Sequence, residues 1–289
     1  MNVRSGEFRS WEDAVVWLRE NPNNAKLVED CYYDDPLIGA AQRYWSGEEW
    51  SAVREILSGR SGRALDVGAG RGIASFALAK DGFVVTALEP DPSKLVGAGA
   101  IRELAVESGL PIHAVEEFSE RLPFEDASFD VVFARAVLHH TRDLNLACQE
   151  FFRVLKPSGL FIAVREHVIS DKNDLPIFLA QHPLHSLYGG EHAFLLEEYL
   201  MSIECAGFAK VAVLSPWRSS INYAPYTLLT LQDELVRRVA LKSSVFSKVV
   251  RVIFRIPGAW TLLRWLLEKF DNRPGRLYTF IGQKGPHSC

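Results

Sequence analysis

The chain has 289 residues, of which 48% are apolar and 24% are charged, and its formal net charge at pH 7 is −4. This length and composition are those of a globular protein with a full core, built as one elaborated domain or as two. The acidic balance argues against a protein that coats nucleic acid, so we expect no nucleic-acid partner. No uncharged apolar run is long enough to predict a membrane-spanning helix.

The N-terminal 60 residues read as a helical segment. Helices are predicted over 11–19, 36–44 and 48–57. Ser10 with Asp13, and Ser46 with Glu49, resemble the capping boxes that start a helix, the first with Asp in place of the usual Glu or Gln. The opening residues MNVRSGEF contain no apolar stretch of the kind found in secretion signals.

Strands and helices then alternate from residue 62 to about 165 at the spacing of βαβ units. Strands are predicted over 64–67, 84–89, 112–115, 130–134 and 160–164, and helices near 73–80, 93–107 and 143–154. Apolar strands separated by helices predict a parallel sheet that is covered on both faces. A helix at 195–206 and strands at 209–214 and 277–282 extend the pattern around two insertions, 166–194 and 216–275.

The segment 64–72, which reads ALDVGAGRG, predicts a buried strand followed by a glycine-rich turn and a helix. Such a turn at the carboxyl end of a parallel strand is where open α/β sheets bind their ligands. The dinucleotide fingerprint G-x-G-x-x-G would need a third glycine where this chain has Ile73. The turn therefore argues against a nicotinamide dehydrogenase. Glu89 ends the next strand, where a carboxylate can accept hydrogen bonds from both ribose hydroxyls.

Three further motifs follow in order: LPFEDASFDVV at 122–132, VLHH at 137–140 and EFFRVLKPSG at 150–159. Together with the glycine turn, they resemble the class I S-adenosylmethionine-dependent methyltransferases of the type 11 group, to which the quinone and sterol methyltransferases are similar. The resemblance implies a Rossmann-like, doubly wound α/β sheet of seven strands. It also implies a helical lid at 1–60 and a methyltransferase domain formed by 61–215 and 276–289, with 166–194 on the acceptor side.

The resemblance implies S-adenosylmethionine as the cofactor and assigns residues to it. Asp66 and the turn Gly68, Ala69 and Gly70 would hold its methionine part, and Glu89 its ribose. Pro90 would lie at the adenine edge, and Ala134 and Arg135 beneath the sulfur. Relatives usually carry an Asp where this chain has Phe118. We therefore assign Phe118 and Ser119 to the adenine side, with stacking by Phe118 or a hydrogen bond from Glu117 or Glu120 replacing the missing contact.

Six of the eight histidines lie between residues 139 and 192, near the predicted acceptor side. A hydroxyl acceptor benefits from a general base, and histidine is the natural one. The candidates are His167, His182 and His185, with Glu166 beside them; in relatives, the pair His139 and His140 mostly shapes the cofactor floor. His182, His185 and Glu191 could instead satisfy backbone groups of the loop. His182, His185 and His192 lack helical spacing and a firm fourth ligand, so we predict no metal.

The second insertion is cationic: residues 237–270 contain eight Lys or Arg and one acid, Glu268. Lys248, Arg251 and Arg255 share one helical face, and apolar side chains lie among them. This profile is typical of a helix at an anionic membrane surface. The same residues could pack on the core or on a second subunit as a homodimer, or bind a phosphorylated acceptor.

The chain has four cysteines, Cys31, Cys148, Cys205 and Cys289, and no C-x-x-C pair. This pattern favours reduced thiols and a cytoplasmic protein. If the cationic insertion binds lipid, the protein would also contact the inner membrane surface. The resemblance implies methyl transfer to a small-molecule, sugar or lipid-linked acceptor, with oxygen as the accepting atom because histidines crowd the site. Two alternatives stay open. One is a non-catalytic S-adenosylmethionine-binding protein, and the other is a C-methyltransferase of a quinone-like or sterol-like lipid.

Overall fold

A computed structural model describes residues 10–256 and 258–286 as a mixed sheet with helices on both of its faces. Within those residues the strands are β1 (Arg63–Val67), β2 (Val84–Leu88), β3 (Ile112–Val115), β4 (Phe129–Arg135), β5 (Leu155–Ile169), β6 (Phe194–Leu195), β7 (Ala209–Leu214) and β8 (Arg276–Gln283). Their order is β3-β2-β1-β4-β5-β8-β7, and β6 pairs with β5 alone. The predicted Rossmann-like sheet is confirmed, with the two-residue β6 added to its seven strands.

The helices follow the alternation that the sequence predicts, with additions in both insertions. They are α1 (Trp11–Glu20), α2 (Ala25–Asp30), α3 (Leu37–Ser46), α4 (Glu48–Ile56), α5 (Ile73–Lys80), α6 (Ala98–Ser108), α7 (Leu144–Val154), α8 (Leu175–Gln181), α9 (Leu196–Cys205), α10 (Ser220–Tyr223), α11 (Leu228–Lys242), α12 (Ser244–Ile253) and α13 (Ala259–Phe270). Helices α10 to α13 occupy the connection between β7 and β8.

The central strands alternate between two cores, as strands buried on both faces must. One core contains Leu65, Val132 and Phe161, covered by α7 and α9. The opposite core contains Ala64, Val131 and Ile162, covered by α5 and the N-terminal helices. Both faces of the sheet are therefore covered by helices, so a ligand is expected at the ends of the strands.

Three parallel strands end together at one edge of the sheet. Val67 of β1 lies opposite Leu88 of β2 on one side and Ala134 of β4 on the other. Consequently, the residues that follow these positions, Gly68, Glu89 and Arg135, are neighbours in space although they are far apart in the chain. This edge is where open α/β folds bind ligands.

Local hydrogen bonds decide how three of the predicted helices begin. Helix α6 begins at Ala98 rather than near 93, because the Ser93 hydroxyl accepts from the amides of Leu95 and Val96 and holds a turn there. The capping box predicted at Ser46 is wrong: Gly47 is the N-cap of α4, and the Ser46 hydroxyl bonds back to Arg43. Ser10 does cap α1 through the amide of Asp13.

Strand β5 is longer than predicted and runs on to Ile169. Its polar continuation, Glu166 to Val168, pairs antiparallel with β8 at 276–278. The start of the predicted insertion at 166 is therefore strand, and its remainder contains α8 and the loop that leads to β6. This extension carries Glu166 and His167 beyond the edge at which β4 stops.

The surface of α12 and α13 is unusually apolar for exposed helices. Phe246 and Phe270 are 64% and 68% exposed, and Trp265 is 54% exposed. The cations Lys248, Arg251 and Arg255 of the same region are also exposed. Within residues 10–256 and 258–286, none of the helices is both long and apolar enough to span a bilayer.

Disulfides are absent among the cysteines that the structure describes. Cys31, Cys148 and Cys205 are free, whereas Cys289 lies outside the described residues. Cys148 is buried and belongs to the core formed with α7.

Candidate active site

A cavity of about 690 Å³ opens at the carboxyl edge of the parallel strands. Its walls come from the glycine turn, the ends of β2 and β4, the N-terminal helices and the loop before β6. A volume of several hundred cubic ångströms is typical of small-molecule and cofactor sites. The predicted cofactor side and the predicted acceptor side thus line one continuous space.

The glycine turn needs glycine for two different reasons. Gly68 has φ 58°, and a Cβ there would lie 2.7 Å from a methyl carbon of Val137. Gly70 also has a positive φ, 53°, but its missing side chain faces open space. Gly68 therefore permits close packing of the backbone, and Gly70 keeps the floor of the cavity free.

Asp66 lies in β1 directly below this turn and is buried. Its carboxylate accepts a hydrogen bond from the Ser75 hydroxyl of α5 at 2.5 Å. Burial raises the pKa of Asp66 to about 7, against the stabilising hydrogen bond from Ser75. A carboxylate in this position attracts a cationic group in the cavity, which Asp66 also lines.

Glu89 connects the end of β2 to the turn. Its two carboxylate oxygens accept from the backbone amides of Gly70, at 2.8 Å, and Asp91, at 2.9 Å. Burial raises its pKa, an effect that these two hydrogen bonds oppose. Each oxygen keeps a second lone pair. Glu89 thus fixes the turn and still has acceptor capacity toward the cavity.

The structure brings nine of the ten predicted cofactor residues to this cavity: Asp66, Gly68, Ala69, Gly70, Glu89, Pro90, Phe118, Ser119 and Arg135. The exception, Ala134, is completely buried among the side chains of the core below. Phe118 is 53% exposed, and the guanidinium of Arg142 lies 5.1 Å from the centre of its ring. An aromatic ring held in this way offers a flat face to a heterocycle.

Arg135 is not a free cation. Its guanidinium donates to both oxygens of the buried Glu49, at 2.7 and 3.0 Å. Burial acts to raise the pKa of Glu49, but Arg135 and Arg165 outweigh it and lower that pKa. The pair joins α4 to the end of β4. Arg165, 3.9 Å from the same carboxylate, leaves one positive charge in excess there.

His139 is held by a carboxylate buried beneath it. Glu166 accepts from the backbone amides of Val137, Leu138 and His139 at 3.0 to 3.1 Å, and from His139 Nδ1 at 2.7 Å. These four donors fix both the loop after β4 and the orientation of the imidazole. The Nε2 atom of His139 consequently points away from Glu166.

Glu191 faces that Nε2 atom from the loop before β6. Its carboxylate lies 3.5 Å from His139 Nε2, and 3.8 Å from both His140 Nε2 and His182 Nδ1. Burial disfavours a charged His139, but Glu166 and Glu191 outweigh it and raise its pKa to about 9. Burial likewise acts against ionised Glu191, and the surrounding histidines lower its pKa to about 2.

His167 completes the group. Its Nδ1 lies 3.0 Å from the carbonyl oxygen of Gly275, and its ring centre lies 4.7 Å from that of His139. Because a carbonyl only accepts, Nδ1 carries the proton and Nε2 keeps a free lone pair. Burial, aided by the nearby His139, lowers the pKa of His167 well below its ordinary value.

Of the three predicted catalytic histidines, His167 and His182 line the cavity and His185 does not. The central position belongs to His139, which the resemblance places on the floor of the cofactor site, and to Glu191, for which the sequence suggests only contacts with backbone groups of its loop. The signals in the sequence for this arrangement are Glu166 at the strand end and the six histidines between residues 139 and 192. Nothing in the local sequence joins residue 191 to residues 139 and 167.

The N-terminal helices close the cavity from above. Arg71 of the glycine turn donates to the carbonyl oxygens of Tyr32 and Asp34, at 2.9 and 3.0 Å, and to the Asp35 carboxylate at 2.5 Å. Tyr32 and Tyr33 line the cavity. Arg43 and Tyr44 of α3 do not line it: Arg43 pairs with Asp34, and Tyr44 is buried in the core.

The fold is a doubly wound α/β sheet. At the carboxyl edge of its parallel strands, a glycine turn and a strand-end acid line one cavity, and this combination defines the class of protein. A family model described as a methyltransferase domain matches residues 65–163. The chain therefore contains a methyltransferase domain of the class I, S-adenosylmethionine-dependent type.

Curated relatives agree with this family. The chain is 31% identical over 151 residues to a ubiquinone biosynthesis O-methyltransferase of Methylobacterium nodulans, a match covering 52% of this chain and 59% of that protein. It is 35% identical over 118 residues to a demethylmenaquinone methyltransferase of Chlorobaculum tepidum, covering 40% and 46% respectively. Each match thus spans less than two thirds of the relative.

A solved structure extends the likeness to most of the chain. Phosphoethanolamine N-methyltransferase 2 of Haemonchus contortus, in complex with S-adenosyl-L-methionine, superposes with a TM-score of 0.53 at 18% identity. The superposition covers 90% of this chain and 59% of that one. At this identity the likeness concerns the fold alone.

Proposed function

We propose that this protein transfers a methyl group from S-adenosylmethionine to an oxygen atom of a small-molecule, sugar or lipid-linked acceptor. The observation that carries the proposal is the single cavity that runs from the glycine turn to the group of histidines around Glu191. A non-catalytic binding protein needs no such continuity, whereas a transferase must bring the donor and the acceptor into contact.

The cofactor end of the cavity matches the chemistry of the donor. Asp66 and the open floor at Gly70 fit the cationic, slender methionine part, and Glu89 keeps lone pairs for the ribose hydroxyls. Phe118 presents its ring to the adenine. The family match supports the same cofactor, since it covers the glycine turn and the strand that ends at Leu88.

The methyl group of the donor is already activated, so the protein mainly has to align the acceptor with it. A lone pair of the acceptor oxygen attacks the methyl carbon in line with the sulfur, and the carbon–sulfur bond breaks as its electron pair returns to sulfur. The acceptor hydroxyl gives its proton to water, and S-adenosylhomocysteine leaves as a neutral thioether. His167 and His182, which line the acceptor end, are the predicted residues that would contact the acceptor; His185 lies outside it.

The names of the relatives support a lipid-like or aromatic acceptor without choosing the atom. One is named an O-methyltransferase of ubiquinone biosynthesis and the other a demethylmenaquinone methyltransferase. We favour oxygen because polar groups that can receive or bind a hydroxyl surround the acceptor end, whereas a carbon nucleophile needs none of them.

The test is a transfer assay with tritiated methyl donor and a cell extract separated into lipid, sugar, small-molecule and protein fractions. We expect label in the lipid, sugar or small-molecule fraction with the natural protein, and none with Gly70→Val. The methyl chemical shift of an isotope-labelled product then separates O-methyl from C-methyl. Label in no fraction, with cofactor binding intact, would instead support a binding protein without transferase activity.

We also propose that α12 and α13 bind the anionic inner surface of the cytoplasmic membrane. Exposed apolar side chains and exposed cations occur together there, which is the composition of interfacial helices. Glu268, the acid within 237–270, accepts from Ser215 and Arg218 on the body of the protein and so offsets little of this charge. A lipid-linked acceptor would be reached from the same surface.

Co-sedimentation with vesicles tests this surface. We expect binding to vesicles rich in phosphatidylglycerol and not to pure phosphatidylcholine, and a loss of binding when Lys248 and Arg251 are both changed to Glu. The exposed Arg121, changed to Glu, is the matched control. A different result would contradict the membrane proposal: the protein binds neither kind of vesicle and sediments as a dimer, and Trp265→Ser dissociates that dimer. The surface would then be a subunit interface.

A further inference from the structure

The acceptor end of the cavity gathers three groups that ligate metals. One ring nitrogen each from His139 and His167 and a carboxylate oxygen of Glu191 all lie within 4.8 Å of one another. The three residues come from the loop after β4, the extension of β5 and the loop before β6. All three line the cavity, so a cation among them would be reached from the side on which the acceptor binds.

The two imidazoles are oriented by their outer nitrogens. His139 Nδ1 donates to the buried Glu166 carboxylate at 2.7 Å, and His167 Nδ1 to the Gly275 carbonyl at 3.0 Å. Metal-binding histidines have this arrangement in almost all known sites, because the outer hydrogen bond fixes the tautomer and aims the other nitrogen. Here both Nε2 atoms are directed to the space in front of Glu191, and an ion bound there would replace the proton of His139 Nε2.

The third ligand is a carboxylate that lacks part of its expected bonding. The Glu191 side chain is only 10% exposed, and its buried Oε2 accepts no hydrogen bond from the described residues. A buried carboxylate oxygen without a donor is costly, and it usually indicates a missing partner such as water or an ion. The nearest atom of opposite charge, His139 Nε2, is 3.5 Å away.

From this geometry we infer a mononuclear site for a divalent transition metal, of the two-histidine, one-carboxylate kind. Imidazole ligands favour zinc and its neighbours over magnesium or calcium, and three protein ligands leave one or more positions open. Those positions face the cavity. If the proposed function holds, an acceptor oxygen binds there, and the ion lowers the pKa of the hydroxyl so that its proton leaves to water.

This ligand set differs from the group of histidines that lie close together in the sequence. His182, His185 and His192 are close in the chain, but His185 does not line the cavity. His182 Nδ1 accepts from the His185 amide at 3.3 Å, so this nitrogen is already engaged. The ligand set is assembled by the fold rather than by a local motif.

The experiment uses the full chain without an affinity tag, stripped with a chelator and titrated with Zn²⁺ by calorimetry and with Co²⁺ by visible absorption. We expect one ion per chain and a rise in melting temperature. Glu191→Gln and His167→Ala should each lower the affinity by more than about 100-fold, since even outer-shell changes cost about 10- to 100-fold. His185→Ala, in the same loop, should leave it unchanged.

Two further measurements keep the outcome clear. Binding of S-adenosylhomocysteine by each variant shows that it is folded, and X-ray absorption of the zinc-loaded natural protein reports whether imidazoles ligate the ion. Absence of stoichiometric binding, or binding that survives both ligand substitutions, would overturn the site. Metal binding without methyl transfer to any fraction would leave the site standing and contradict the proposed function, so the two are tested separately.

Discussion

The two ends of the cavity are built in different ways. The cofactor end uses short continuous segments, 66–71, 89–91 and 117–120, each of which contributes several neighbouring residues. The groups that meet at the acceptor end come from distant parts of the chain: Tyr32 follows α2, Arg135 ends β4, His167 lies in β5, and Glu191 lies in the loop before β6. One end is encoded locally, and the other exists only after folding.

This difference has a physical consequence for substitutions. A change in a continuous segment alters a surface that the backbone already shapes, so binding is lost while the fold remains. A change at the acceptor end removes a contact between elements, so it also affects how those elements pack. The following predictions test this contrast, beginning with the largest expected effect.

The strongest test of the cofactor end is Gly70→Val. The valine would have to adopt a φ near 53°, and its side chain would enter the cavity from the floor. We expect S-adenosylhomocysteine binding to fall below detection by calorimetry while the far-ultraviolet circular dichroism spectrum stays native.

Gly59→Val is the matched control. Gly59 also has a positive φ, 76°, and open space around its missing side chain, but it does not line the cavity. Its strain should cost about 1–3 kcal/mol of stability and leave cofactor binding intact. Equal loss of binding in both variants would mean that backbone strain, and not occupation of the cavity, explains the first result.

At the other end, Glu49→Gln should act on the fold. Arg135 and Arg165 would lose their buried carboxylate, and removal of one partner of a buried pair costs about 3–5 kcal/mol. Urea denaturation followed by tryptophan fluorescence measures this loss. Glu116→Gln breaks the exposed pair with Arg102, whose side chains are 40% and 51% exposed, and should cost less than about 1 kcal/mol. If the two variants unfolded at similar urea concentrations, the buried pair would stabilise the protein no more than the exposed one.

Cofactor affinity should depend on pH through Asp66. Because burial raises the pKa of Asp66 to about 7, the carboxylate is mostly protonated below that pH and ionised above it. Attraction of the cationic amino group requires the ionised form, so affinity for S-adenosylhomocysteine should increase about tenfold from about pH 6 to about pH 8. Asp66→Asn should show weak binding with a flat profile. If the affinity of the natural protein for S-adenosylhomocysteine were equally independent of pH, this role of Asp66 would be contradicted.

The smallest effect is expected for Phe118→Ala. Stacking of an aromatic side chain on a base contributes about 1–3 kcal/mol, and the exposure of this ring favours the lower value, or about fivefold in affinity. Phe118→Trp should bind at least as well as the natural protein. If the alanine variant binds equally well, the adenine does not rest on this ring.

The same contrast explains what the sequence predicts. The strand, turn and acid at 64–72 and 89 follow from local patterns, because glycine dihedrals and strand ends are local properties. Ala134 fails to line the cavity since its side chain points into the core, while that of the next residue does not. Alternation within a strand decides this, and the phase of β4 is hard to read when most of its residues are apolar.

The acceptor end escapes such patterns for a different reason. The polar run at 165–167 looks like the end of a strand, but pairing with β8 more than a hundred residues later keeps it in the sheet. The role of His139 depends on Glu166 below it and Glu191 in front of it. Contacts between residues so far apart leave no periodicity in one sequence, so only the folded chain brings them together.

Arg71 has a consequence for building hybrid proteins. It occupies a position between the two last glycines of the turn, yet its guanidinium holds the backbone at Tyr32 and Asp34. The N-terminal segment is therefore not a module that can be exchanged freely between methyltransferases. A chimera that keeps these helices but takes the turn from a relative without this arginine would lose their anchor, so the two segments must be transplanted together.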